Sequence, residues 1–164
     1  LVPKIFAAIN ESRLNNTITG INTCRTAAIQ YFTKHGVFPN AMANFDDLLL
    51  KEGFLDKLFE VKLSNSADCE VKVAAGGQNT EGGSDGNGRF DLDGNSQSDV
   101  PENATVVQVK IDNVKPEDAL DLSLRIDGKD MSETGSGTAD KRGRVAYAAP
   151  SGGVTTVYVY LAHK

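Results

Sequence analysis

The chain has 164 residues, a formal net charge of -5, 40% hydrophobic residues, 16 glycines and no tryptophan. That length suits one domain with a modest core. No basic patch stands out, which argues against a nucleic-acid or anionic-membrane surface, and no run approaches the roughly 18 apolar residues of a membrane span.

The element around which the rest is organised comes first. Val2, Ile5, Phe6 and Ile9 recur at helical spacing, and Leu14, Ile18, Ile21, Ala28 and Phe32 continue the stripe. This predicts one helix over 1–35, with Gly20 its only interior glycine and Pro3 in the first turn, where a missing N–H leaves no partner stranded. At ~1.5 Å per residue the helix is roughly 50 Å long, more than one face of such a domain covers, so part of it is expected to project. Gly36 can end it in a left-handed cap, and Pro39 prevents resumption.

With Val-Pro at positions 2 and 3, a helix that grows more polar along its length, the aromatic pair Tyr31-Phe32 and then Gly36-x-Phe38-Pro39, the chain resembles the type IV pilins and, more closely, the major pseudopilins of type II secretion. In that family the Val-Pro step follows an apolar, membrane-inserted segment and a leader peptide, neither of which is in these residues. The resemblance implies an α+β pilin-like fold with the long helix packed on an antiparallel sheet of about four strands. It also implies a bacterial cell-envelope protein, in the periplasm or at the cell surface, anchored in the inner membrane before assembly. Its partners would be further copies of itself and other pilin-like subunits, in a structural filament.

Cys24 lies beside the apolar stripe and Cys69 at the start of a strand pattern, so both are expected where helix meets sheet. Two buried free thiols are one outcome. In a secreted setting a disulfide between them is favoured, worth about 4 kcal/mol in the chain-entropy model.

In the 36–68 connection, Asn44 as N-cap, Asp46 and Asp47 in a first turn and Gly53 as stop predict a short helix, with a further turn over 54–59. Residues 69–74 alternate as a half-buried strand and open a β-rich head over 69–164.

From 76 to 103 the composition shifts to Gly, Asn, Ser and Asp. Glu81, Asp85, Asp91, Asp93, Asp99 and Glu102 face Arg89 as the sole base of 81–102, so this stretch accounts for the whole net charge. Counted from Asp91, oxygen-bearing side chains at Asp91, Asp93, Asn95, Asp99 and Glu102 occupy positions 1, 3, 5, 9 and 12, with the Gln97 carbonyl at 7, the ligand spacing of an EF-hand-type calcium loop. Ser96 stands where that loop has glycine, Pro101 holds Val100 out of helical conformation, and no helix precedes the loop. The expectation is an isolated Ca²⁺ loop, against a merely solvated acidic loop, with Asp85 and Asn87 as possible extra ligands and Arg89 salt-bridged outward. The resemblance points the same way, since major pseudopilins carry calcium in a glycine-rich acidic loop between strands.

Residues 105–111 read as a strand. Pro116, Glu117 and Asp118 open a short helix whose tail, to Gly128, alternates and suits a strand equally. A second polar loop covers 128–143. Residues 144–148 and 154–161, about the turn 150–153, read as a hairpin. Tyr158 and Tyr160 share one face; with Tyr147 they suit cross-strand packing better than a binding patch. Pro116-Glu117-Asp118-Ala119, Ile126-Asp127-Gly128, Gly143-Arg144-Val145 and the closing tyrosine strand are also similar to the C-terminal portions of some bacterial pilin-like proteins.

Nothing assembles an enzyme. His35 and His163 sit at a helix end and near the last residue, both expected as solvated groups, and the 76–94 glycines lack a phosphate cradle's lysine. The functional expectation is a structural subunit of a type IV pilus or type II secretion pseudopilus, its head stabilised by Ca²⁺. The alternative is a surface-exposed adhesin or receptor-binding module of the same fold.

Overall fold

The apolar spacing of the first 35 residues becomes one helix, α1 (Val2–His35). In the computed structural model, which describes residues 2–75 and 80–164, its second part buries Leu14, Thr17, Ile21, Cys24 and Ala28, three or four residues apart and so on one face. Thr17 is tolerated there because its hydroxyl donates to the Arg13 carbonyl at 2.9 Å. Ile5, Phe6 and Ile9 are 57, 61 and 48% exposed, so the N-terminal third projects as expected. Leu1, the Val2 side chain of the expected stripe, and 76–79 at the start of the expected 76–103 loop lie outside the described residues. The helix stops where predicted: Gly36 has φ 75 and its N–H donates to the Phe32 carbonyl at 2.7 Å.

The short helix α2 (Phe45–Lys51) follows, but Asn44 does not cap it with its side chain. Asn44 is left-handed, φ 52, and its N–H donates to Asp68 Oδ1 at 2.9 Å, which ties the helix start to the sheet. The turn expected over 54–59 is not helical. Instead the buried Asp46 carboxylate accepts the Phe59 N–H at 3.0 Å, folding that segment back over α2.

Four strands, β1 (Ser66–Val73), β2 (Thr105–Val114), β3 (Val145–Tyr147) and β4 (Thr155–His163), form one antiparallel sheet in the order β1-β2-β4-β3. β1 starts three residues earlier than its alternation suggested. Cys69, Val109, Val159 and Val145 are in register across the four strands. With Val107, Ile111, Val157 and Leu161 they make the main core with α1 and α2. The layout is the expected α+β one, a long N-terminal helix on a four-stranded antiparallel sheet.

The opposite sheet face is also covered. Phe90, Val100 and Ala104 from the 80–104 loop pack on Val106 and Ala146, with Tyr158 and Tyr160 beside them, in a second small core. Phe90 meets Tyr160 edge-on, ring centroids 5.5 Å apart, so the paired tyrosines pack as expected. Tyr147 is the exception, lying in register with Val157 on the helix side.

α3 (Pro116–Ile126) is helical throughout, tail included. Ala119, Leu122 and Ser123 are its buried side chains, a three- and four-residue spacing that overrides the apparent alternation of Leu120, Leu122, Leu124 and Ile126. It packs against α1, β3 and β4. Among the described residues no helix is long and apolar enough to cross a membrane.

Candidate metal site in the 80–104 loop

The acidic stretch is a loop folded around its own carboxylates. Asp91 is buried, 1% exposed. Its Oδ1 accepts the N–H groups of Gly94 and Asn95 at 2.7 and 3.0 Å, and its Oδ2 that of Ser96 at 2.9 Å. Asp99 Oδ2 accepts the N–H groups of Leu92 and Asp93 at 2.6 and 3.1 Å. The stretch 91–99 is thereby coiled into a tight ring, and the Asp99 N–H donates to the Phe90 carbonyl at 2.8 Å, closing the ring onto the outer core.

Each of Asp91, Asp93 and Asp99 places one carboxylate oxygen within 4.8 Å of the others. No ion pair among the described residues involves any of them: Arg89 makes the expected salt bridge, to Asp85 at 2.6 Å, but with its Nε buried rather than turned to solvent, and Lys141 approaches Glu81 at 3.8 Å. Three carboxylates at this spacing repel one another unless backbone N–H groups or a cation offset the charge. The donors are hard oxygens with no Cys or His among them, a set that suits Ca²⁺ or Mg²⁺ rather than a soft transition metal.

Compared with protein families, curated proteins and solved structures, the chain matches none.

The remaining expected ligands fare differently. Asn95 is in the ring, but its amide nitrogen donates to Asp93 Oδ2 at 3.1 Å and its oxygen accepts the Gln97 N–H at 2.8 Å. Gln97 forms a bridge with Glu81. Glu102 is exposed in the turn after Pro101 and its carboxylate is not among the clustered three. Asp85 and Asn87 close a separate turn, with the Asn87 N–H and amide donating to Asp85 at 3.2 and 2.9 Å. Ser96, in the glycine position of the spacing, has φ 74. The sharp left-handed turn is therefore made with a residue that disfavours it, held by the bond from its N–H to Asp91.

Cys24 and Cys69, both buried, lie at the helix–sheet junction as expected, as free thiols with their sulfurs 2.7 Å apart. Its hydrogen bond with Cys24, and then burial, push the Cys69 thiol well above its ordinary range. His35 is exposed and meets Glu52 at 2.8 Å, whereas His163 is not simply solvated: its Nδ1 shares a 2.8 Å hydrogen bond with the Tyr160 hydroxyl.

Two buried polar groupings had no signal in the residue pattern. Gln108 on β2 donates to Glu70 Oε1 at 2.9 Å and to the Gly86 carbonyl at 2.8 Å, pinning the 84–89 turn to the sheet. Gly86, φ 78, lies where a Cβ would strike the Tyr158 ring. Ser123 on α3 bonds Asp140 Oδ2 and the Ser132 hydroxyl, each at 2.8 Å, locking the 128–143 loop to the helix. Burial, with Glu133 and Asp127 adding to it, pushes the Asp140 carboxyl up to about 6.

Proposed function

We propose that this chain is the structural subunit of a filament of the type IV pilus or type II secretion pseudopilus class, and that Ca²⁺ fixes its acidic loop. The observation that carries this is the division of α1. Its second part is buried in the head, while Ile5, Phe6 and Ile9 present an apolar stripe to solvent. Leaving such a stripe unpaired is unfavourable by roughly 25 cal/mol per Å² of apolar surface, and packing against neighbouring helices removes that cost.

In this proposal Asp91, Asp93 and Asp99 hold the cation. The cation neutralises the carboxylates that coil the ring, and Phe90 and Val100 transmit that order to the outer face of the sheet. At a free concentration 100 times its dissociation constant, calcium would add about 2.7 kcal/mol to stability.

The test of the assembly is the gene upstream of the Leu1 codon. A leader followed by an unbroken apolar run entering Leu1-Val2-Pro3 is the expected result. Another globular domain there, or a cleaved secretory signal, overturns the filament.

A further inference from the structure

Asp140, Ser123 and Ser132 form a chain of contacts whose protons can be counted. Ser123 Oγ on α3 lies 2.8 Å from both Asp140 Oδ2 and Ser132 Oγ, and Ser132 Oγ lies 2.8 Å from the Gly128 carbonyl oxygen. Ser123, Ser132 and Asp140 are 0, 4 and 0% exposed, so the chain is closed to bulk solvent. Each contact has the length of a good O–H···O hydrogen bond and needs one proton between its two oxygens.

A serine hydroxyl has one proton to give, so the two serines supply two protons for three contacts. The Gly128 carbonyl can only accept, which takes the Ser132 proton. The Ser123 proton then completes the contact between the serines. What remains is the contact between Ser123 Oγ and Asp140 Oδ2, and its proton has one source, the carboxyl group itself. The other carboxyl oxygen, Oδ1, accepts the Arg142 N–H at 3.1 Å, which leaves Oδ2 to carry the proton.

The groups around Asp140 favour the same neutral state. From its own loop, Glu133 adds a second acid, while the Arg142 guanidinium is turned to the Ser132 carbonyl and Glu133 at 3.2 and 3.3 Å. Lys141 reaches outward to Glu81 at 3.8 Å, and Lys129 and Asp130 are exposed. α3 contributes Asp127, whose oxygens accept the Arg144 and Val145 N–H groups at 2.8 Å each. β3 contributes Tyr147, buried, its hydroxyl without a hydrogen-bond partner among the described residues. No ion pair among the described residues includes Asp140. Burial beside two acids keeps a carboxyl protonated where an exposed one is ionised, here up to about 6.

We propose that Asp140, Ser123 and Ser132 form a pH-operated latch, which holds the 128–143 loop on α3 while Asp140 is protonated and loosens it when the proton leaves. In the closed state the donors run one way, from the Asp140 O–H to Ser123, from Ser123 to Ser132 and from Ser132 to the Gly128 carbonyl. Ionisation takes one proton out of the chain to solvent. Ser123 then turns its proton to the carboxylate, and Ser132 can serve Ser123 or Gly128 but not both. Either way one bond of the loop is lost, and two oxygens are left facing each other without a proton between them. The latch belongs to the single chain and depends on neither filament assembly nor a bound cation.

The experiment is an NMR titration of the chain that follows the Asp140 side-chain carboxyl carbon. Alongside it, hydrogen exchange is measured at the Met131, Asp140 and Arg142 N–H groups, each bonded in the closed position of the loop, and expressed as protection over the intrinsic rate at each pH. The carboxyl carbon should titrate at about 6. Protection at the three N–H groups should fall roughly tenfold with the same midpoint, the worth of about one hydrogen bond, while the buried part of α1 stays unchanged. Asp140→Asn, whose amide donates to Ser123 at every pH, should keep the loop protected throughout; Ser123→Ala, which cuts the chain, should leave it unprotected throughout. A carboxyl midpoint near the ordinary 3.8, loop protection that does not follow the Asp140 midpoint, or an Asp140→Asn loop that opens with pH as the wild type does overturns the latch. The wild-type titration decides the matter even if a variant fails to fold.

Discussion

Cys24 on α1 and Cys69 on β1 bring their sulfurs to 2.7 Å inside the helix–sheet interface, with both residues buried. Protein taken from an oxidising compartment should therefore be two hydrogens lighter than the reduced chain by intact mass. Reduction should cost about 2–5 kcal/mol in a denaturant titration. Both thiols are shielded from an external oxidant in the folded state, so the bond should form during folding rather than after it. Two alkylatable thiols in natively isolated protein would reject the pairing.

Chelation should lower the melting temperature, and Asp93→Ala should abolish the difference between calcium and chelator. Asp93 is the better probe because Asp91 also accepts three backbone N–H bonds. Its loss would uncoil the ring with or without a cation. Melting curves that are identical with and without millimolar calcium would remove the metal from the account.

Asp140 gives the protein a pH dependence of defined sign. Its folded pKa of about 6 lies above the ordinary 3.8, so the folded state binds this proton more tightly than the unfolded chain does. The contribution is fully present below about pH 4 and is lost as pH rises through 6, on the order of 2 kcal/mol. Burial pushes Asp46, Asp68 and Asp127 in the same direction, so Asp140→Asn should flatten the slope between pH 4 and 6 without removing it. Urea midpoints across that range are the measurement, and an unchanged slope in the variant would count against the buried carboxyl.

The two parts of α1 should answer truncation differently. Ile21 is 1% exposed, and Ile21→Ala should cost about 2–5 kcal/mol through lost burial and a residual cavity. Phe6 is 61% exposed, and Phe6→Ala should stay within about 0.5 kcal/mol. Equal losses in urea denaturation would mean that the N-terminal third is packed, not projecting.

Much of the architecture was legible before any coordinates. The long helix and its stop at Gly36, the four strands and the closing hairpin follow from spacings of 3.6 and 2 residues. Those spacings are set by backbone geometry within a turn or a pleat. The acidic loop was legible for the same local reason: Asp91, Asp93 and Asp99 are close in space because they are close in the chain. Even the meeting of Cys24 and Cys69 followed from both lying on the faces that helix and sheet must bury.

What only the tertiary structure decided are the relationships between distant residues on faces that local pattern does not rank. The tail of α3 alternates, but packing against α1, β3 and β4 selects the helical face through Ala119 and Leu122. Asn44 donates its N–H to Asp68 and gives its own helix a carbonyl but no side-chain cap, and Glu102 stands outside the ring because the turn after Pro101 carries it away. Tyr147 and Tyr158 lie on opposite sides of the sheet because strand register, not composition, assigns the faces. Ser123 with Asp140 and Gln108 with Glu70 are 17 and 38 residues apart. Nothing in a window of neighbours encodes such pairs; they exist because burial leaves each polar group a single place to find, or lack, a partner.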